Sequence, residues 1–157
     1  MSFENFEKGL KLATKCAKYL TVNGKSDEEI ATSEKMLNIN FSKQSLEFYK
    51  RLGYLSFYGN EIYGIDPNDD SGILEGNSVA YALYDRKNYG LPKEWLPIYF
   101  FDDGHMGYLD YSDINADGEP PVIMAIYNGK DYVVVRKVAE DLGDFILSLV
   151  EEQLSQQ

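Results

Sequence analysis

The sequence has few of the residues on which disulfide scaffolds and many enzyme sites depend. Its 157 residues include one cysteine, one histidine and one tryptophan, so no disulfide forms within the chain. No run approaches the ~18 apolar residues that cross a membrane, and the N-terminus lacks the apolar segment of a secretory signal. We therefore expect a protein of the reducing cytoplasm that has no membrane partner.

Catalytic and nucleotide-binding signatures are missing as well. The chain contains no GxSxG, no P-loop, no HExxH and no glycine-rich dinucleotide loop. His105 stands near Asp102, Asp103 and Asp110, and such a group could ligate a metal or act as a base. The same letters, DDGH, are typical of a hairpin turn. We predict no catalytic residue, no metal site and no cofactor, and we keep a small hydrolase using His105 as an alternative.

Basic side chains are scarce in the middle of the chain. Residues 61–120 hold three basic and thirteen acidic side chains, a balance of −10, whereas the whole chain carries −11. An acidic chain is repelled by nucleic acid and by anionic membranes, and it attracts basic partners. We therefore predict no nucleic-acid partner, and we expect either a basic protein partner or a charge that serves solubility alone.

Length and composition fit one globular domain over residues 1–157. Apolar residues make up 44% of the chain, enough to form a core. The thirteen tyrosines fit half-buried strand positions or an adhesive surface.

Helices are predicted in the first third of the chain. Apolar residues recur at steps of three and four over residues 2–20, which predicts an amphipathic helix that Ser2 begins and Asn23-Gly24 ends. Cys16 lies beside its apolar stripe, so we expect a buried thiol.

Two further helices are indicated by their termini. Ser26 and Glu29 have the spacing of a capping box and begin the second helix. Ser42 caps the third, which Gly53 ends.

Hairpins then dominate the sequence. Turns are predicted at Gly59-Asn60, Asp103-Gly104 and Asn128-Gly129, each between β-rich segments. The segment NSVAYALYDRKNYG is ambiguous, but Asn77 as a cap and Gly90 as a stop favour a helix. Apolar residues over 142–150 predict a closing helix. The fold class is therefore α+β, with N-terminal helices and a C-terminal helix packed around an antiparallel sheet of hairpins.

The segment DINADGEPPVIM, residues 113–124, has the beginning of an EF-hand loop. Asp113, Asn115, Asp117 and Gly118 fall at the first, third, fifth and sixth positions of that loop. The twelfth position needs a bidentate glutamate but holds Met124, and prolines occupy the eighth and ninth positions. The segment is therefore predicted to be a turn between strands that binds no calcium.

The order of segments resembles that of SUKH-superfamily domains. SEKMLNINFSKQSLEFYKRLG resembles their opening, LPKEWLPIYFFDDGHMGYLDYS their central signature, GEPPVI the strand that follows and DFILSL the closing helix. The resemblance spans residues 26 to 150. Phe41 stands where the family often has Leu-Pro, and the family's NG after the third helix is LG here. The structural signature falls on the following residues: Trp95, Pro97, Gly104, Pro121 and Phe145.

The resemblance implies a non-enzymatic protein with helices around an antiparallel sheet. Bacterial SUKH proteins are typically immunity proteins that neutralise a toxin, often a nuclease, and fungal relatives regulate cell-wall synthesis. We expect a bacterial immunity protein that covers a basic, nuclease-type toxin with its acidic segment, with a regulatory adaptor of the same fold as the alternative. The candidate partner-binding residues are Asp69, Asp70, Glu75, Asp102, Asp103, His105, Asp110 and Asp113.

Overall fold

The computed structural model describes residues 2–69 and 76–156, with the side chain of Ser2 left out. These residues form five helices and two antiparallel sheets, which confirms the predicted α+β class. The helices are α1 (Ser2–Ala13), α2 (Asp27–Leu37), α3 (Lys43–Arg51), α4 (Ser78–Tyr89) and α5 (Leu142–Ser155). The strands are β1 (Leu20–Thr21), β2 (Leu55–Phe57), β3 (Asn60–Ile62), β4 (Trp95–Asp102), β5 (His105–Asp110), β6 (Val122–Tyr127) and β7 (Tyr132–Ala139).

The first helix is shorter than predicted. It ends at Ala13, and Leu20, which we placed on its apolar face, lies in β1 and is 56% exposed. Leu20 pairs with Ser56 in the small sheet, so strand pairing ends the helical pattern seven residues early. Lys18 has a φ of 58°, a left-handed turn that separates helix from strand. Cys16 is buried as expected, although it follows the helix, and burial raises the pKa of its thiol.

The predicted helix termini are largely confirmed. Ser26 and Glu29 form both hydrogen bonds of a capping box. Asn77 accepts from the first backbone amides of α4, and Gly90 ends that helix with a φ of 70°. Ser42 begins α3 without a side-chain cap; its hydroxyl instead lies within hydrogen-bond distance of the hydroxyls of Ser45 and Tyr111.

Tight turns set the register of the hairpins. Between β4 and β5 the turn residues are Asp103 and Gly104, as predicted, with φ of 48° and 81°. Between β2 and β3 they are Tyr58 and Gly59 rather than Gly59 and Asn60, since Phe57 pairs with Asn60. Two successive positive φ values are typical of the two-residue turns that match strand twist.

The larger sheet has the order β4-β5-β6-β7, and β7 forms its edge. Its register leaves two β7 residues without a partner on β6: Val135, between Val134 and Arg136, and Val138, before Ala139. Such bulges bend an edge strand and interrupt its row of outward hydrogen-bonding groups.

Helices α1 and α5 pack against each other at very short range. A Cβ on Gly143 would lie 2.7 Å from the Cβ of Phe6, and one on Gly9 would lie 3.1 Å from the backbone of Leu147. Glycine at both positions therefore allows the two backbones to approach. Phe145 of α5 packs on Tyr99 of β4, with ring centroids 5.3 Å apart, so this helix pair covers one face of the sheet.

The opposite face of the sheet carries Trp95. Trp95 is 9% exposed, and its ring lies 5.3 Å from that of Tyr108 and 6.1 Å from that of Tyr132. Pro97 and Pro121 of the sequence signature are buried as well, whereas Gly104 is exposed in its turn.

We predict that Trp95→Ala lowers the free energy of unfolding by about 3–5 kcal/mol, because it removes a large buried ring between two tyrosines. Chemical denaturation measures the loss. Trp95→Phe, which keeps a ring in the same place, should lose less. An unchanged stability combined with lost partner binding would instead identify Trp95 as an interface residue.

Candidate protein-binding surfaces

The acidic residues predicted to bind a partner do not form one cluster. Asp102, Asp103 and His105 surround the β4–β5 turn, whereas Asp110 and Asp113 lie at the other end of β5. His105 and Asp110 are five residue steps apart along an extended strand, roughly 17 Å. These five predicted residues are therefore divided between two ends of the sheet.

The β4–β5 turn presents its carboxylates to solvent. Asp102 and Asp103 are exposed, and His105 is half-buried with Nδ1 3.2 Å from the carbonyl oxygen of Asp102. These three residues form the acidic turn. The strand pair Asp102–His105 closes this turn after a register shift between Phe100 and Asp102, so the carboxylates project from the end of the hairpin.

At the other end of β5, the Asp110 side chain stabilises the turn that follows the strand. One of its carboxylate oxygens accepts hydrogen bonds from the amide of Ser112, at 3.0 Å, and from the hydroxyl of Ser112. Asp113, by contrast, is exposed. These bonds use one oxygen of Asp110 and leave the other available, and partner binding by Asp110 and Asp113 stays a prediction.

The third predicted group lies before α4. Asp69 is exposed and lines a cavity of about 340 Å³ together with Glu61, Asp66 and Lys25. Asp70 and Glu75 lie outside the described residues, and their roles stay predictions.

The EF-hand-like segment is an internally bonded turn. The side-chain oxygen of Asn115 accepts from the amides of Asp117 and Glu119, at 2.9 and 3.0 Å. The prolines then lead directly into β6, so Met124 lies in a strand. Among residues 2–69 and 76–156, no three acidic, histidine or cysteine side chains are grouped so as to hold a metal.

We predict that calcium gives no saturable heat in titration calorimetry up to millimolar concentration, because Asn115 is engaged in the turn and Met124 offers no carboxylate. A micromolar affinity would refute this prediction.

A buried carboxylate, missed from the sequence, follows this turn. Glu119 is 3% exposed, and its Oε2 accepts from the amide of Gln44, while its Oε1 has no hydrogen-bond partner among the described residues. Burial, and to a smaller extent the negative charge of Asp141, raises the pKa of Glu119. The only indication in the sequence was its place in an acidic loop beside two prolines.

We predict that Glu119→Gln stabilises the protein increasingly as pH rises above about 4.5, the ordinary pKa of a glutamate. A raised native-state pKa means that the folded protein binds this proton more tightly than the unfolded chain does. Wild-type stability is therefore favoured at low pH and falls as pH rises through the native-state pKa.

Denaturant unfolding of both proteins between pH 4 and pH 8 provides the measurement. Glu47→Gln, on a half-buried residue of α3, is the control and supplies the baseline difference between glutamate and glutamine. A pH dependence of Glu119→Gln no larger than this baseline would contradict a penalty on the charged form of Glu119.

A row of tyrosine rings is the second feature missed from the sequence. Its members are Tyr84 and Tyr89 of α4, Tyr127 of β6 and Tyr132 of β7, and we call them the tyrosine surface. Successive ring centroids are 6.2, 5.1 and 5.1 Å apart. Tyr84 and Tyr89 are 46% and 42% exposed. The abundance of tyrosine pointed to an adhesive surface but could not locate it.

The tyrosine surface and the acidic turn lie at the same end of the larger sheet, although His105 and Tyr127 point to opposite faces. His105 pairs with Ile126, the residue before Tyr127, and the added Cβ of Gly104 would lie 3.9 Å from the Ile126 side chain. The β4–β5 and β6–β7 turns therefore lie at one end of the sheet. Exposed tyrosines are enriched at protein–protein interfaces.

None of the helices within the described ranges is long and apolar enough to span a bilayer. Comparison with known proteins gives one family: the model of SUKH_6, described as SMI1-KNR4 cell-wall, matches residues 27–146. This match confirms the resemblance drawn from the sequence. No curated protein matches the chain.

Proposed function

This chain belongs to the SUKH_6 family, SMI1-KNR4 cell-wall, and on that premise we propose that it is a non-enzymatic immunity protein that neutralises a basic toxin of the nuclease type. The observation that carries the proposal is the acidic turn, two exposed carboxylates on a fixed hairpin within a segment of charge −10. A nuclease presents lysine and arginine to phosphates. An acidic protein that covers this surface excludes the nucleic acid.

Charge complementarity acts mainly on the rate of encounter. Opposite charges guide two proteins together before they touch, and dissolved salt weakens this guidance beyond roughly 8 Å at physiological ionic strength. Fast capture suits an inhibitor, since uninhibited toxin damages the cell during the search. A regulatory adaptor of the same fold does not require rapid association. The association rate and its dependence on salt therefore distinguish the inhibitor from the adaptor.

We predict that Asp102→Asn/Asp103→Asn slows association with the toxin several-fold at low salt and changes dissociation less. Asparagine also tolerates the positive φ of Asp103, so the turn should persist. Stopped-flow mixing at several salt concentrations, with the product of the adjacent gene as the partner, provides both rates.

The matched control is Asp27→Asn/Glu28→Gln, which removes the same charge from exposed positions of α2. It should leave association unchanged within a factor of about two. Association that is indifferent to salt and to both double substitutions would assign the acidic segment to solubility. A partner without toxic activity, bound equally well, would favour the adaptor.

A further inference from the structure

Asp85 lies beside the tyrosine surface, in a position where its charge does not stabilise the fold. It is four residues before Tyr89 on α4, so the two side chains share one face of the helix. Asp85 is half-buried, and within the described residues its carboxylate has no hydrogen bond and no ion pair. Burial accordingly raises its pKa.

The charge of Asp85 reaches the tyrosines of the sheet. Burial is the main cause of the raised pKa values of Tyr132 and Tyr108, and the negative charge of Asp85 adds to both. Tyr89, on the same helix face as Asp85, packs on Tyr127, which packs on Tyr132, with ring centroids 5.1 Å apart in both pairs. Together, Asp85 and the tyrosine surface combine a negative charge that lacks a partner with ring faces that attract cations.

A carboxylate in this position costs stability. Water is partly removed from it, and no protein donor replaces that water. An asparagine or an apolar side chain would avoid most of the cost. A charged side chain that lowers the stability of the fold is typical of a residue that binds a ligand.

We propose that Asp85 and the tyrosine surface bind an arginine side chain of the basic partner. The proposal rests on the proposed function, because that function supplies a partner rich in arginine. Arginine fits better than lysine, since its planar guanidinium stacks on aromatic rings, pairs with a carboxylate through two donors and sheds water more readily.

The neighbouring acidic turn supports this assignment. Asp102 and Asp103 lie at the same end of the sheet, and Asp131 is exposed in the turn that precedes Tyr132. Arg86 follows Asp85 in sequence, but its guanidinium donates to the carbonyl oxygens of Leu37 and Lys93. Lys87 on α4 and Lys130 in that turn are exposed. The acidic turn would guide the partner, while the tyrosine surface would retain it.

The test uses the protein alone, with the peptide acetyl-Gly-Arg-Gly-amide as the probe. We expect saturable NMR shifts at the amides of residues 84–89 and 127–132. In a second peptide, citrulline replaces arginine and keeps its shape but not its charge. This peptide should bind at least about tenfold more weakly. The lysine peptide should fall between the two.

Three variants connect the binding to the named residues. Asp85→Asn should weaken the arginine peptide about fivefold or more, while its thermal midpoint stays unchanged or rises. Tyr89→Phe keeps the ring face and should bind normally, whereas Tyr89→Ala should bind more weakly. Asp27→Asn, an exposed position on α2, is the control and should have no effect on the affinity.

The proposal is overturned if citrulline or lysine binds as well as arginine, or if Asp85→Asn keeps full affinity. It is also overturned if the shifts centre on residues 102–105 instead. Such a failure leaves the proposed function intact, because toxin association is measured separately and depends on other carboxylates. Conversely, arginine binding without any toxin partner would refute the function and keep this site.

Discussion

A buried amide side chain, Gln44, joins segments that lie far apart in the chain. Its Oε1 accepts from the amide of Gly143 at 2.7 Å, and its own backbone amide donates to Glu119. One residue of α3 thereby fixes the start of α5 and the loop between β5 and β6. Because α5 packs on α1, and β6 pairs with β5, this contact links the helix pair to the sheet, in addition to the packing of Phe145 on Tyr99.

This arrangement separates the framework from the surface. The buried contact and the close helix pair hold one face of the sheet, while α4 and the hairpin turns remain free to carry charge and aromatic rings. Asp102 and Asp103 can be exposed because their backbone is held by β4 and β5. A fixed presentation lowers the entropy that binding must overcome, so rigidity of the sheet benefits recognition at its end.

Local signals predicted the framework well, and distant contacts decided the rest. The capping box at Ser26, the Asn77 cap and the Asp103-Gly104 turn each depend on residues close together in the sequence, and these three predictions were correct. The end of α1 was wrong because pairing of Leu20 with Ser56 outweighs helical periodicity. The tyrosine surface could not be predicted, since its members come from a helix and two strands that only the fold brings together. The partial burial of Asp85 could not be predicted either, because it also depends on how the fold brings α4 and the sheet together.

The bulged edge of β7 has a consequence for how new specificities arise. A smooth edge would let almost any extended segment attach through backbone hydrogen bonds, regardless of its sequence. The bulges at Val135 and Val138 discourage that attachment, and recognition then depends on individual side chains. Under the proposed function, single substitutions on the exposed end of the sheet would change which partner is bound without disturbing the core.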